Sequence, residues 1–591
     1  MKTILAATLL LSVMVNAQTK APEIPEGYWP EAKSEEILKK TEIIRLAPDL
    51  SSLTAEEQSA VKDLLEVGGI LQKVYEDQKH HQALFALDRL RVLDIQLGQP
   101  KVTQNLLQLY RLNQGPVAVN LNNEVVPFLP VSPQIPGRNV YPVDATKAEI
   151  ETFLAAYPDA RADVLAERTV VRRATKANLE KDLLMLRVYA ELRALHPFEQ
   201  QKFQNLQRIA SLTSFYGTPY AIAYADQLVP VYRLLMKAAQ TVESSDGEFA
   251  RYLRNRARDF LSNDYESGDA SWVTGRFKRL NAQIGAYETY DDAMFGVKAF
   301  HSMSVLIADE QATAELRKAL GGIQAIEDAL PYANHKRVRE DLPVGVYNVI
   351  ADFAQARGTN TATILPNDPL FSRRYGRTIL LRENIMKNPE IFAADERVWR
   401  AATVDANAKD LQAEGNFQRT LWHEIGHYLG PDRDKQGRTL DAALEDYADA
   451  VEEMKADLVS LFALQKMNHP SLRAIQASGI RRTLQNTKPR RDQPYQTMQL
   501  IQFNWFLENG LLQADPKTAR LKVNYERYPE VVTSLLTEVM KLQSEGDKAA
   551  TAAFFDRWTH WTPEVHDKLA ARIREAQGAR FRLVKYAALG E

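Results

Sequence analysis

Apolar residues recur at spacings of three and four along most of this chain, and that period commits it to helices that bury one face against one another. The runs "SAVKDLLEVGGILQKVYEDQ" (59–78), "LEKDLLMLRVYAELRAL" (179–195), "EVVTSLLTEVMKLQ" (530–543) and "EVHDKLAARIREAQ" (564–577) all carry it. In "DATKAEIETFLAAY", Thr146 and Glu149 have the spacing of a capping box ahead of a helix. Two stretches, 115–142 and 342–369, break the period; they are β-branched and punctuated by Gly, Pro and Asn, which predicts strands and loops packed beside the helices. At 591 residues the chain exceeds one typical core. The expected class is α+β, predominantly α-helical.

Lys plus Arg number 74 and Asp plus Glu 76, a formal net charge of -2, with no long block of one sign. That balance argues against nucleic acid or an anionic membrane surface as a partner. The opening "MKTILAATLLLSVMVNAQTK" places one lysine before an apolar run and then Val15-Asn16-Ala17, the pattern of a cleavable secretory leader over residues 1–17. The run is shorter than the roughly 20 apolar residues a span needs, and no later stretch reaches that length, so no membrane is expected in the mature form, which would be periplasmic or secreted. Cysteine is absent. Any metal must therefore be held by His, Asp or Glu.

The stretch "LWHEIGHYLG" (421–430) sets His423 and His427 four apart, on one face of a helix, so both rings can address a single ion. Glu424 falls beside them, where it can take a proton from water. One class of zinc peptidase takes its third ligand six residues after the second histidine, but that position is Arg433, a permanent cation. The other class takes a glutamate from a later helix, and "DYADAVEEMKADLVSLFAL" (446–464) offers Glu452 and Glu453. Glu453 and Asp457 share a face, so Glu453 can bind the ion while Asp457 accepts a hydrogen bond from the far nitrogen of a ligand histidine. The alternative is a solvated acidic face. Against it stand Val451, Met454, Leu458 and Leu461, which make this helix half buried, and the short loop separating it from the histidines.

"HEIGH" and "EEMKAD" together resemble the two signatures of the dipeptidyl peptidase III zinc metallopeptidases, in the five-residue form of the first motif found in shorter bacterial members. "IGAYETYDDAMFGVKAF" (284–300), "TATILPNDP" (361–369) and "IQFNWFLENG" (501–510) extend the resemblance to roughly residues 140–591. It implies one zinc ion held by His423, His427 and Glu453, with Glu424 as general base and Glu452 and Asp457 in support. Glu288 and Tyr290 would meet the amino end and backbone of a peptide substrate, and Asn367 its backbone, although "ETYDD" and "LPND" are also ordinary turn sequences. Two positions depart from the family: Tyr495 stands where it has a histidine that helps polarise the scissile carbonyl, and Ile364 replaces a second asparagine. A tyrosine can still donate to a developing oxyanion; its alternative role is packing at a helix start after Pro494.

The resemblance further implies two lobes with a wide cleft: a helical zinc-binding lobe (309–344 with 387–580) and a mixed substrate-edge lobe containing a small β-barrel (18–308 with 345–386 and 581–591). The expected protein is a monomeric zinc exopeptidase releasing dipeptides from the amino end of peptides, with Tyr290 or Tyr495 stabilising the oxyanion. Its rivals are a zinc aminopeptidase or endopeptidase of other specificity, and a catalytically impaired peptide-binding zinc protein.

Overall fold

The computed structural model describes residues 24–122, 124–338, 343–365, 369–490 and 493–591. The expected leader over 1–17 and Asn367 lie outside them. Helices dominate. The run at 59–78 lies in α1 (Ala55–Lys79), which packs on α2 (Ala225–Val242), itself packed on α3 (Gly247–Ser262). A reciprocal capping box opens α1: Thr54 Oγ1 accepts from the Glu57 amide at 3.2 Å, and the Glu57 carboxylate accepts from the Thr54 amide at 2.8 Å. The box expected at Thr146 forms by half. Thr146 Oγ1 accepts from the Glu149 amide at 3.2 Å, but the Glu149 side chain turns to Arg173 at 2.7 Å, because a guanidinium is a stronger donor to a carboxylate than a backbone amide. The run at 179–195 is two helices, Lys176–Val188 and Ala190–Leu195, separated by an extended Tyr189.

The principal sheet contains β1 (Leu280–Ala286), β2 (His301–Ala308), β3 (Val344–Ala354), β4 (Ala362–Leu365) and β5 (Thr378–Arg382), in the order β1-β2-β3-β5-β4. All neighbours are antiparallel except β3 and β5. This corrects the expected small β-barrel. Closure requires the first and last strands to pair, whereas β1 and the four-residue β4 lie at opposite edges and the sheet stays open. The stretch at 115–142 contributes only a short antiparallel pair, Val117–Val119 with Val125–Pro127.

Strand alternation divides the apolar residues of β5 between two cores. Leu380 joins a core with Leu64, Leu71, Leu235, Ile284 and Val305, while Ile379 and Leu381 join another. The second core is built by α4 (Pro389–Ala402), α5 (Ala413–Gly426), α6 (Ala448–Lys466), α7 (Leu472–Thr483), α8 (Pro494–Glu508) and α9 (Tyr528–Glu545), around Trp399, Trp422, Met454, Ile475, Ile501 and Leu535. Near the two ends of the described chain, Thr41–Leu46 pairs in parallel with Phe581–Tyr586. Among the described residues no helix is long and apolar enough to cross a membrane.

Candidate metal centre

Helix α5 carries His423 in its last turn and ends at His427, whose backbone is still helical (φ -64°, ψ -25°). The glycine of the motif sets how near α6 can come. A Cβ on Gly426 would lie 2.7 Å from the Ala456 carbonyl oxygen, so a larger residue would push the two helices apart. Lys455 of α6, 1% exposed, closes the end of α5 by donating to the carbonyls of Gly426 at 2.9 Å and Leu429 at 2.7 Å. A cation at that end also complements the helix dipole.

At this crossing the two histidines face Glu453. Asp457 Oδ1 lies 2.7 Å from His423 Nδ1, and Glu452 Oε1 lies 2.9 Å from His427 Nδ1. Each carboxylate calls for a proton on Nδ1, so that in the neutral ring a metal ligand must be, the lone pair is on Nε2. Those nitrogens approach Glu453, His423 Nε2 at 3.2 Å from Oε2 and His427 Nε2 at 3.9 Å from Oε1. The 3.2 Å approach does not make a hydrogen bond: Glu453 Oε2 is buried and has no donor. Two lone pairs and an orphaned carboxylate oxygen thus converge, with ligand atoms within 4.8 Å of one another, and His423, His427 and Glu453 could hold a metal ion. Two imidazoles and a carboxylate form a donor set that fits a borderline divalent cation and leaves a position open.

The supporting charges are strongly coupled. Burial disfavours a charged His423, but Asp457 outweighs it and lifts the pKa to about 9. Burial also works against a charged Asp457, yet Arg482, His423 and Arg419 hold its carboxyl far below the usual range. Its Oδ2 accepts from Arg482 at 2.8 Å and its Oδ1 from Arg419 at 3.2 Å. Glu452, only partly buried, is kept at about 2 by Lys455 and His427, and its second oxygen accepts from Gln543 at 3.0 Å.

Tyr495, in the first turn of α8, donates to Glu453 Oε1 at 3.0 Å and stays half exposed. Burial and the Glu453 charge push its pKa up to about 12, so the phenol is a donor at neutral pH. Glu424 is partly buried and makes no hydrogen bond or ion pair among the described residues; its charge adds to the pressure against ionising Tyr495. Glu288 and Tyr290 lie elsewhere, on the loop between β1 and β2, where Tyr290 is 69% exposed and the Glu288 carbonyl accepts from the Phe300 amide. That loop is pinned through Asp291, which accepts from Tyr75 at 3.0 Å and Gln355 at 2.8 Å. Ile364 sits in β4 against the second core.

Sequence reasoning missed Arg419, Arg482, Lys455 and Gln543. Arg419 stands one helical turn before His423 and Lys455 three residues after Glu452, which is a readable signal. Arg482 and Gln543 arrive from α7 and α9, and only the packing of those helices brings them here.

No protein-family model matches the chain. Nudix hydrolase 3 of Arabidopsis thaliana is 25% identical over 441 residues, 72% of this chain and 54% of that protein, so the chain spans about half the length of this curated relative. Two solved structures align over nearly the whole chain. DPP III from Caldithrix abyssi is 24% identical with a TM-score of 0.78, covering 95% of this chain and 99% of that one. Dipeptidyl-peptidase III from Corallococcus sp. strain EGB is 23% identical with a TM-score of 0.70, covering 95% and 98%. With both structures superposing over nearly all of their length, the chain has the dipeptidyl-peptidase III fold.

Proposed function

We propose that this protein is a zinc-dependent peptidase that releases dipeptides from the amino end of peptides. The observation that carries the reading is the convergence of both histidine Nε2 atoms on the Glu453 carboxylate, His423 on Oε2 at 3.2 Å and His427 on Oε1 at 3.9 Å, with Glu424 next to His423 in the helix. The fold it shares with the two peptidase structures supports the same reading.

A zinc ion bound by His423, His427 and Glu453 would polarise a carbonyl and yield a nucleophile from water at neutral pH. Glu424 accepts the proton of the attacking water and passes it to the leaving amine. Asp457 and Glu452 hold the two imidazoles in the required tautomer and orientation. Tyr495 contributes a neutral phenolic donor to the developing oxyanion. Glu288 and Tyr290 meet the amino end and backbone of the peptide, and the role of Asn367 in holding that backbone rests on the sequence resemblance alone. In this reading the zinc lies in a helical lobe (309–344 with 387–580), a cleft separates it from the substrate-edge lobe, and the leader over 1–17 delivers a monomer to the periplasm or the outside.

The test is mass spectrometry of peptide pairs, with free or acetylated amino ends, incubated with the zinc-loaded protein. Dipeptides should appear only from free ends and vanish with a chelator. Internal cleavage of both members alike would favour an endopeptidase instead. Tyr495→Phe should lower kcat by roughly 10² to 10³ with little change in KM, as when one oxyanion donor is removed. An unchanged kcat would return Tyr495 to a packing role and leave the oxyanion to Tyr290.

A further inference from the structure

A cavity of about 600 Å³ lies among α1, α2, the strand Thr169–Arg173 and the helix Lys176–Val188, with the segment 139–144 along one side. None of the residues lining it belongs to α5, α6 or the second core, so it is separate from the metal centre. That size is ordinary for a small-molecule pocket. Val74, Leu84, Pro142, Val143, Val170 and Met185 supply an apolar wall, in which Val143 remains exposed to solvent.

The rest of the lining is charged, and most of those charges are already matched. Arg172 meets Asp182 at 2.9 Å, Arg173 meets Asp144 at 3.0 Å and Glu149 at 2.7 Å, and Asp226 accepts from the Tyr189 phenol at 2.7 Å. Asp77, Lys73 and Lys181 are the exceptions. Asp77 accepts one hydrogen bond among the described residues, from Asn139 at 3.3 Å, and forms no ion pair there. The side chains of Lys73 and Lys181 make neither a hydrogen bond nor an ion pair among the described residues, and both stay exposed. Burial pushes the Asp77 carboxyl up to about 6, against the pull of Lys181, the Asn139 bond and Arg172.

An anion on α1 and a cation on the helix Lys176–Val188 thus line one cavity without closing on each other. A ligand of a single charge would match one of them and be repelled by the other, whereas a ligand carrying both signs satisfies both, and the apolar wall strengthens each attraction. We propose that this cavity binds a short apolar peptide with both ends free, its ammonium on Asp77, its carboxylate on Lys181 with Lys73 beside it, and its side chains on the valine and leucine wall. Such a site would stand whether or not the metal centre cleaves peptides.

Calorimetry on the Glu424→Gln protein, which should not consume the ligand, measures the binding of leucyl-leucine, its N-acetyl form and its C-terminal amide. Each blocked form should bind roughly ten- to a hundredfold more weakly than the free dipeptide, the effect of losing one charged contact. Asp77→Asn, which keeps the shape of the side chain, should bring the free dipeptide down to the affinity of the acetylated one. Lys73→Met together with Lys181→Met should bring it down to that of the amide. The lysine pair replaces exposed side chains, so it tests the site even if Asp77→Asn fails to fold. Binding should persist in Glu453→Ala, because the cavity shares no residue with the metal centre. Equal affinities for the free and blocked dipeptides, a preference for free ends left unaltered by the variants, or binding that disappears with Glu453 would overturn the site.

Discussion

Glu453→Ala should release the metal, whereas Glu424→Gln should keep it and lose hydrolysis by roughly 10² to 10⁴ in kcat, the span associated with a general acid or base. The difference follows from what each carboxylate touches. Glu453 closes the three-residue cluster, so its loss leaves two imidazoles, too few for a stable catalytic site. Glu424 is on the same helix as both histidines but engages neither, and its amide replacement keeps the shape of the wall while removing the base. Elemental analysis of the purified variants beside kcat on a free-ended peptide decides between the roles. Equal metal loss in both variants would refute the assignment.

Asp457→Ala should produce the largest loss of stability among the residues of the site. Its carboxylate, 3% exposed as a residue, serves His423, Arg419 and Arg482 at once. Removing it leaves two arginine charges in a buried environment without their shared partner, an effect on the order of 3 to 5 kcal/mol. The same change frees the His423 ring to rotate and should weaken metal binding by roughly 10 to 100-fold, the usual effect of deleting a carboxylate behind a ligand histidine. Asp457→Asn separates the two contributions, since an amide oxygen can still accept from Nδ1 while the charge is gone: metal affinity should recover more than the thermal midpoint does. Parallel recovery of both would mean that charge and orientation are not separable here.

The candidate metal cluster and the helical character were legible in the chain alone, because both depend on short-range spacing. Four residues between His423 and His427, and four between Glu453 and Asp457, put each pair on one helical face whatever the rest of the chain does. The apolar period likewise marked α1 and α9, although the run at 179–195 broke into two helices at an extended Tyr189; the cap at Thr146 formed by half because Arg173 drew Glu149 away.

What tertiary structure alone decided depends on contacts across long stretches of chain. The four-residue β4 cannot announce from its own composition that it will end as the edge of an open sheet and not close a barrel. The arginine beside Asp457 from α7 and the glutamine on Glu452 from α9 have no shared period that a reader of the chain could detect. A net charge of -2 likewise says nothing about where folding gathers the cations, such as Arg419 and Arg482 around Asp457. Local periodicity encodes which side chains share a face, and only the packing of those faces determines which charges meet.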